Sequence, residues 1–222
     1  MERKSNLKHL APTREELSLT QRQTYFLEIF TLAQAKYGKS TYRLAGDGWA
    51  HPWQTLIVTI MSAQTRDETT IPVAENLFKR YPSLQLIANA NYEDIRAMIG
   101  AVNYCNTKAK HVIETAQILL DKFGGNVPQT IDELITLPGV GRKTANLVIA
   151  ECFGKDGICV DTHVHRISNV FGFVKTKTPE QTELALRQIV PKPLWSKVNR
   201  IFVLWGKDVL GRDQDKFLQV LN

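Results

Sequence analysis

The chain has 222 residues, 43% hydrophobic and 23% charged, with 4 Trp, 6 Tyr and 9 Phe, a composition that supplies a substantial core and excludes disorder and fibrous repeats. Its formal net charge of +6 is unevenly placed: residues 1–136 carry 15 Lys/Arg against 14 Asp/Glu, 137–200 carry 10 against 5, and 201–222 carry 3 against 3. A phosphate backbone is the commonest partner of such a basic stretch, whereas the longest apolar runs, such as Leu56 to Val58 and Leu147 to Ala150, fall far short of the roughly 20 residues of a membrane helix.

In chain order, Met1-Glu2-Arg3-Lys4-Ser5-Asn6 opens a polar stretch without the apolar segment of a secretory signal, so the cytosol is the expected compartment, or the nucleoid in a prokaryote. Tyr25, Phe26, Ile29, Phe30, Leu32 and Ala33 recur near a 3.6-residue period and predict a helix over Thr20 to Tyr37. Prolines 52 and 72 are read as helix starts, for Trp53 to Ala63 and Val73 to Tyr81. Further helices are predicted over Tyr92 to Ile99 and Lys108 to Phe123, the latter stopped by Gly124-Gly125. A short one near Ile131 to Leu137 precedes Arg142 to Phe153, His163 to Phe171, Pro179 to Val190 and Trp195 to Leu210. β-Branched runs such as Ile158 to Val160 are too isolated to build a sheet, so the expected fold class is all-α. Gly46-Asp47-Gly48 and Gly154 to Gly157 are the expected boundaries between packing units.

The segment Leu137-Pro138-Gly139-Val140-Gly141-Arg142-Lys143-Thr144-Ala145 lies between two helical stretches. Its two glycines permit φ > 0 and a close backbone approach, and the amides that open the next helix, with its dipole, can grip a phosphate without reading bases. A Gly-x-Gly by itself is also an ordinary tight turn. Lys143 follows in the first turn or two of that helix, where the dipole favours the reactive amine over the ammonium, and partial burial is expected to push the same way. Asp161, 18 residues on, opens Val160-Asp161-Thr162-His163 just before another helix, a position where an Asp is ordinarily an N-cap.

Together, Leu137 to Ala145 and Val160 to His163 resemble the helix-hairpin-helix and catalytic aspartate of the endonuclease III family of DNA glycosylases. Ser62-Ala63-Gln64-Thr65-Arg66-Asp67 resembles the family's Ser-Ala-Gln segment, and Asn106-Thr107-Lys108-Ala109-Lys110 its Asn-Ser-Lys-Ala segment, so the likeness runs from about Trp53 to about Trp205. The resemblance implies two helical lobes, 45–155 and 1–44 plus 156–222, with duplex DNA bound across the cleft between them by a monomer. It implies that Gln64 fills the gap left by an extruded base, where an ordinary surface glutamine is the alternative. Tyr104 aligns with the family's wedge leucine, although Asn103-Tyr104-Cys105 departs from the usual Gly-Leu-Tyr; an aromatic there stacks on the orphaned base's neighbours or belongs to the core. Leu137, Gly139, Val140, Gly141, Arg142, Thr144 and His163 complete the implied DNA-binding set.

The implied chemistry makes Lys143 and Asp161 the catalytic pair. A carboxylate near C1′ stabilises the charge that builds as the glycosidic bond breaks, and an amine attacking C1′ yields an imine from which the 3′ phosphate is expelled. The expected activity is a glycosylase with abasic-site lyase action on oxidised pyrimidines. A glycosylase for another lesion or mismatch, an abasic-site lyase, and a non-catalytic DNA-binding module are the alternatives. Family members commonly hold a [4Fe-4S] cluster in four C-terminal cysteines, but Trp205 to Asn222 contains none, so neither cluster nor metal is expected. Cys152, Cys159, His163 and His165 are four candidate zinc ligands in number, yet the His-x-His spacing does not suit a helix-borne site. Packing through Phe202, Trp205, Phe217 and Leu218 is expected in place of the cluster loop.

Overall fold

The computed structural model describes residues 18–155 and 157–221; the N-terminal stretch read as lacking a secretory signal lies outside the described residues. In chain order the helices are α1 (Leu19–Tyr37), α2 (Pro52–Ser62), α3 (Asp67–Arg80), α4 (Leu84–Ala88), α5 (Tyr92–Met98), α6 (Cys105–Phe123), α7 (Ile131–Leu134), α8 (Arg142–Phe153), α9 (Thr162–Val170), α10 (Pro179–Ile189), α11 (Trp195–Asp208) and α12 (Gln214–Gln219), with a 3₁₀ turn at Lys192–Leu194. Among the described residues there is no strand, as the all-α reading requires. Among the described residues no helix is long and apolar enough to cross a membrane.

Local chemistry explains where the helices begin and end. Ser18 and Gln21 cap α1 reciprocally, the Ser18 amide donating to Gln21 Oε1 at 2.9 Å and the Gln21 amide to Ser18 Oγ at 3.3 Å. Helix α3 starts at Asp67, ahead of Pro72 and not after it as the sequence suggested. Proline in the second turn forfeits one intrahelical bond, a loss offset by the burial of Ala74, Leu77 and Phe78 together with the favourable Asp67 and Glu68 in the first turn. Helix α6 begins at Cys105, three residues earlier than expected, because Tyr104 adopts the left-handed conformation (φ 60°, ψ 34°) and turns the chain into it. Helix α7 stops at Leu134, leaving Leu137 to the turn before α8. Helices α4 and α12, which the sequence pattern did not reveal, are 5 and 6 residues long, too short to display a period.

One compact unit spans Tyr42–Lys155. Helix α2 runs through its centre, with Thr55 to Met61 all buried, and packs against α3, α6 and α8. A helix hydrophobic nearly all round is stable only when enclosed in this way. Burial of Leu56, Ile57, Ile60, Leu77, Val112 and Leu119 drives that enclosure at roughly 1.5–3 kcal/mol per side chain.

The other unit joins α1 to the residues after 156. Its core is aromatic: Phe171 lies 5.1 Å from Trp205, Trp205 lies 5.3 Å edge-on to Phe217, and Phe26 lies 5.2 Å from Phe173. The Trp205 indole donates to the Phe217 carbonyl at 3.1 Å, so the expected packing of Phe202, Trp205, Phe217 and Leu218 is present, all four being buried. Arg166 on α9 completes the closure. Its guanidinium donates to the carbonyls of Gly206 (2.7 Å), Val209 (3.0 Å) and Gly211 (3.1 Å) and lies 5.4 Å from the Phe217 ring centre.

Helices α9 and α11 approach so closely that a Cβ on Gly206 would stand 2.8 Å from His163 Cγ. Gly206→Ala should therefore lower stability by about 1–3 kcal/mol through overpacking. Denaturant unfolding measures this, and an unchanged midpoint would show that α9 yields without cost.

Candidate active site

Within the unit Tyr42–Lys155, the turn before α8 is held from below by its own apolar residues. Leu137 and Val140 are buried, and the Val140 amide closes the turn onto the Leu137 carbonyl at 3.1 Å. Thr115 on α6 donates its hydroxyl to the Pro138 carbonyl at 3.2 Å. Gly139 has φ +75°, and a Cβ there would stand 2.6 Å from His111 Nδ1 and 3.1 Å from Ile60 Cγ2, so conformation and space both demand glycine. Gly141 differs from the sequence reading: with φ −93° and ψ 176° it is an extended N-cap for α8, a conformation open to other residues.

Arg142 and Lys143 occupy the exposed first turn of α8, whereas Thr144 is buried beside Ala145. The partial burial expected of Lys143 is thus not supplied by its own unit. Leu137, Val140 and Thr144 turn their side chains into the protein, which leaves their backbone as the only part able to meet a nucleic acid.

Gln64 and Tyr104 are the non-glycine residues with positive φ among those described, at 55° and 60°. Both are exposed, Tyr104 at 66%, which removes the core alternative for that ring. Left-handed backbone is costly for such residues and persists where surrounding structure enforces it, often at functional sites. The enforcing structure is local. Asn103 donates its side-chain amide to the Gln64 carbonyl and its backbone amide to Thr65 Oγ1 at 3.1 Å, joining the two loops.

Asp161 and His163 belong to the other unit, so Lys143 and Asp161 sit on separate bodies. The Asp161 carboxylate caps α9, its Oδ1 accepting the Val164 amide at 2.8 Å. His163 is half-buried, and burial lowers its pKa below the ordinary 6.5, opposed by Asp161 and assisted by Arg166 and Lys207. Its ring packs against Gly206, structural work that the sequence reading did not assign to it.

Residues 57–192 match the family described as HhH-GPD superfamily base excision DNA repair protein. The chain belongs to this superfamily. It is 45% identical over 158 residues to endonuclease III of Thermotoga maritima, covering 71% of this chain and 74% of that protein. Against endonuclease III of a Synechocystis species it is 36% identical over 197 residues, covering 88% and 87%. Among solved structures it is similar to a trapped endonuclease III–DNA covalent intermediate, with a TM-score of 0.79 and 29% identity over 87% of this chain and 88% of that one. A non-covalent endonuclease III–DNA complex gives a TM-score of 0.78 and 30% identity over 86% and 87%. As an HhH-GPD protein of the endonuclease III kind, the chain is a base-excision-repair enzyme, a DNA glycosylase in a group for which lyase activity is typical.

The family's iron-sulfur cluster does not fit this member. The chain has three cysteines in all, and Cys105 lies in a different unit from Cys159. The segment after Trp205 is closed by the Arg166 guanidinium and the Trp205–Phe217 pair. Among the described residues no group of three or more His, Cys, Asp or Glu is placed to hold a metal ion.

The sequence reading assigned no role to Asn103, Thr65, His111 and Arg166, whose importance lies in partners far along the chain. If the turn grips DNA, Gly139→Val should weaken binding to damaged and undamaged duplexes alike by about tenfold, roughly 1.4 kcal/mol. The wild-type affinity should fall with added salt. Fluorescence anisotropy at two salt concentrations checks both, and full affinity in a folded variant would remove the turn from the interface.

Proposed function

We propose that the chain removes oxidised pyrimidines from duplex DNA and nicks the strand, with Lys143 as nucleophile and Asp161 as the charge-stabilising carboxylate. The observation that carries this reading is the exposed Lys143 in the first turn of α8, directly after a turn that buried Leu137 and Val140 hold in place. Gripping a phosphate requires no lysine side chain there, so its presence favours covalent chemistry over a purely DNA-binding role.

A base inside the duplex is out of reach and must be extruded. Gln64 fills the vacated space and Tyr104 stacks on the bases beside it, which accounts for two strained, exposed residues in neighbouring loops. The backbone of the Leu137–Gly141 turn and the N-terminal end of α8 bind phosphate, and Arg142 adds charge. The Lys143 amine attacks C1′ and the base departs with its bonding electrons, while the Asp161 carboxylate stabilises positive charge on the sugar. Ring opening leaves an imine between Lys143 Nζ and C1′. Loss of a C2′ proton then expels the 3′ phosphate, and hydrolysis of the imine frees the lysine.

His163, half-buried and packed against Gly206 of α11, completes the proposed DNA-contact set. No step passes through a metal or cluster.

Reduction with borohydride during reaction on a duplex with one oxidised pyrimidine should trap a covalent adduct that peptide mapping places at Lys143. Lys143→Gln should abolish trapping and nicking while retaining binding; Asp161→Asn should slow base release by about 10²-fold or more and cleavage of a preformed abasic site by less. Trapping at another lysine would overturn the assignment. The purified protein should also lack sulfur-to-iron absorbance and keep its activity after chelator treatment; stoichiometric iron would contradict this.

A further inference from the structure

Lys108 is the titratable side chain in the interior of the unit Tyr42–Lys155 that the proposed chemistry leaves unused. The residue is only 5% exposed, yet its three ammonium hydrogens meet three oxygens: the carbonyls of Met61 and Ala63, each at 2.6 Å, and Thr65 Oγ1 at 3.1 Å. The two carbonyls end helix α2, where the dipole welcomes a cation. Burial lowers the ammonium's pKa to about 8 from 10.5, with the Cys105 thiol acting in the opposite sense. A buried charge held at such expense calls for a reason beyond capping a helix.

Its partners supply one. Ala63 and Thr65 flank Gln64, so the ammonium grips the chain on both sides of that left-handed residue. Thr65 Oγ1 also accepts the Asn103 amide, and the Asn103 side chain donates to the Gln64 carbonyl. Asn103 directly precedes Tyr104, whose own carbonyl accepts the Lys108 backbone amide at 3.0 Å. Side chain and backbone of one residue thereby reach both strained positions.

The geometry points to Lys108 as a positioning residue that locks Gln64 and Tyr104 into one preassembled wedge for the gap in the duplex. This rests on the reading of Gln64 and Tyr104 as gap-filling residues. The ammonium acts through the backbone and does not touch DNA. Without it the Ser62 to Arg66 loop relaxes out of the left-handed conformation and the two side chains no longer enter together.

The test uses the full chain and a duplex carrying 2-aminopurine opposite a non-cleavable abasic analogue, whose emission reports unstacking of the orphaned base. Lys108→Met keeps the aliphatic stem and removes the charge. It should bind undamaged duplex within about twofold of wild type, lose the emission change at saturating protein, and release a lesion base about tenfold more slowly in single turnover. In a Gln64→Ala/Tyr104→Ala background, Lys108→Met should add no further loss. Full additivity in that background would overturn the proposal by making Lys108 a general stabiliser. A wild-type emission change for Lys108→Met, with the change lost in Gln64→Ala/Tyr104→Ala, would overturn it and leave the gap-filling reading standing. A wild-type emission change for Gln64→Ala/Tyr104→Ala would sink that reading and the proposal with it. If Lys108→Met fails to fold, Asn103→Ala on the exposed loop should show the same loss of emission change, and wild-type behaviour there would overturn the proposal.

Discussion

A loop that must hold its amides in fixed directions needs anchoring stronger than its own backbone bonds, and here that anchoring is the burial of Leu137 and Val140 on either side of Gly139. With Leu137 and Val140 both sunk in the core, Gly139 between them must cross above Ile60 and His111 where no Cβ fits. The direction of α8 follows from that crossing, and the position of Lys143 follows from α8. Because interiors are packed as densely as organic crystals, such a turn transmits its constraint without slack. A basic, exposed helix start is therefore placed by apolar contacts that never meet solvent.

Much of this was legible in the sequence, and the pattern of what was not is instructive. Helix α8 was read to the residue, because Gly141 and Gly154 bracket it. The all-α class followed from periodicity alone. Pro72 misled because proline marks a first turn by preference but is tolerated one turn later when a buried helix face offsets its cost. Tyr104 was ambiguous between core and surface, since an aromatic side chain suits both and backbone conformation is invisible in a residue name. Lys108 and Arg166 were opaque for a deeper reason. Each satisfies mostly backbone carbonyls, and a carbonyl carries no signature in the sequence, so these bonds could not be read from side-chain types.

Asp161 joins an observed structural role to the catalytic one proposed for it. As an N-cap it is held by the Val164 amide, which fixes the carboxylate in a single orientation before any substrate arrives. That orientation costs the reaction nothing, because the helix needs it anyway. The N-cap and the proposed catalytic role of this aspartate are consequently compatible.

The unit that contains α1 is discontinuous in the chain, and this sets an order of events during synthesis. Residues 42–155 are contiguous, so their core is complete once α8 has emerged. Helix α1 precedes the other described helices, but its partners are α10 and α11, and Tyr37 donates its hydroxyl to Asp208 at 2.8 Å while Gln214 donates to the Tyr25 hydroxyl at 2.9 Å. Its aromatic face, with Phe26 and Phe30 fully buried in the finished protein, stays unsatisfied until nearly the whole chain exists. Long-range closure of this kind is slow and leaves apolar surface open to solvent in the interim. Among the described helices, the first to leave the ribosome is thus the one that depends longest on not meeting another chain.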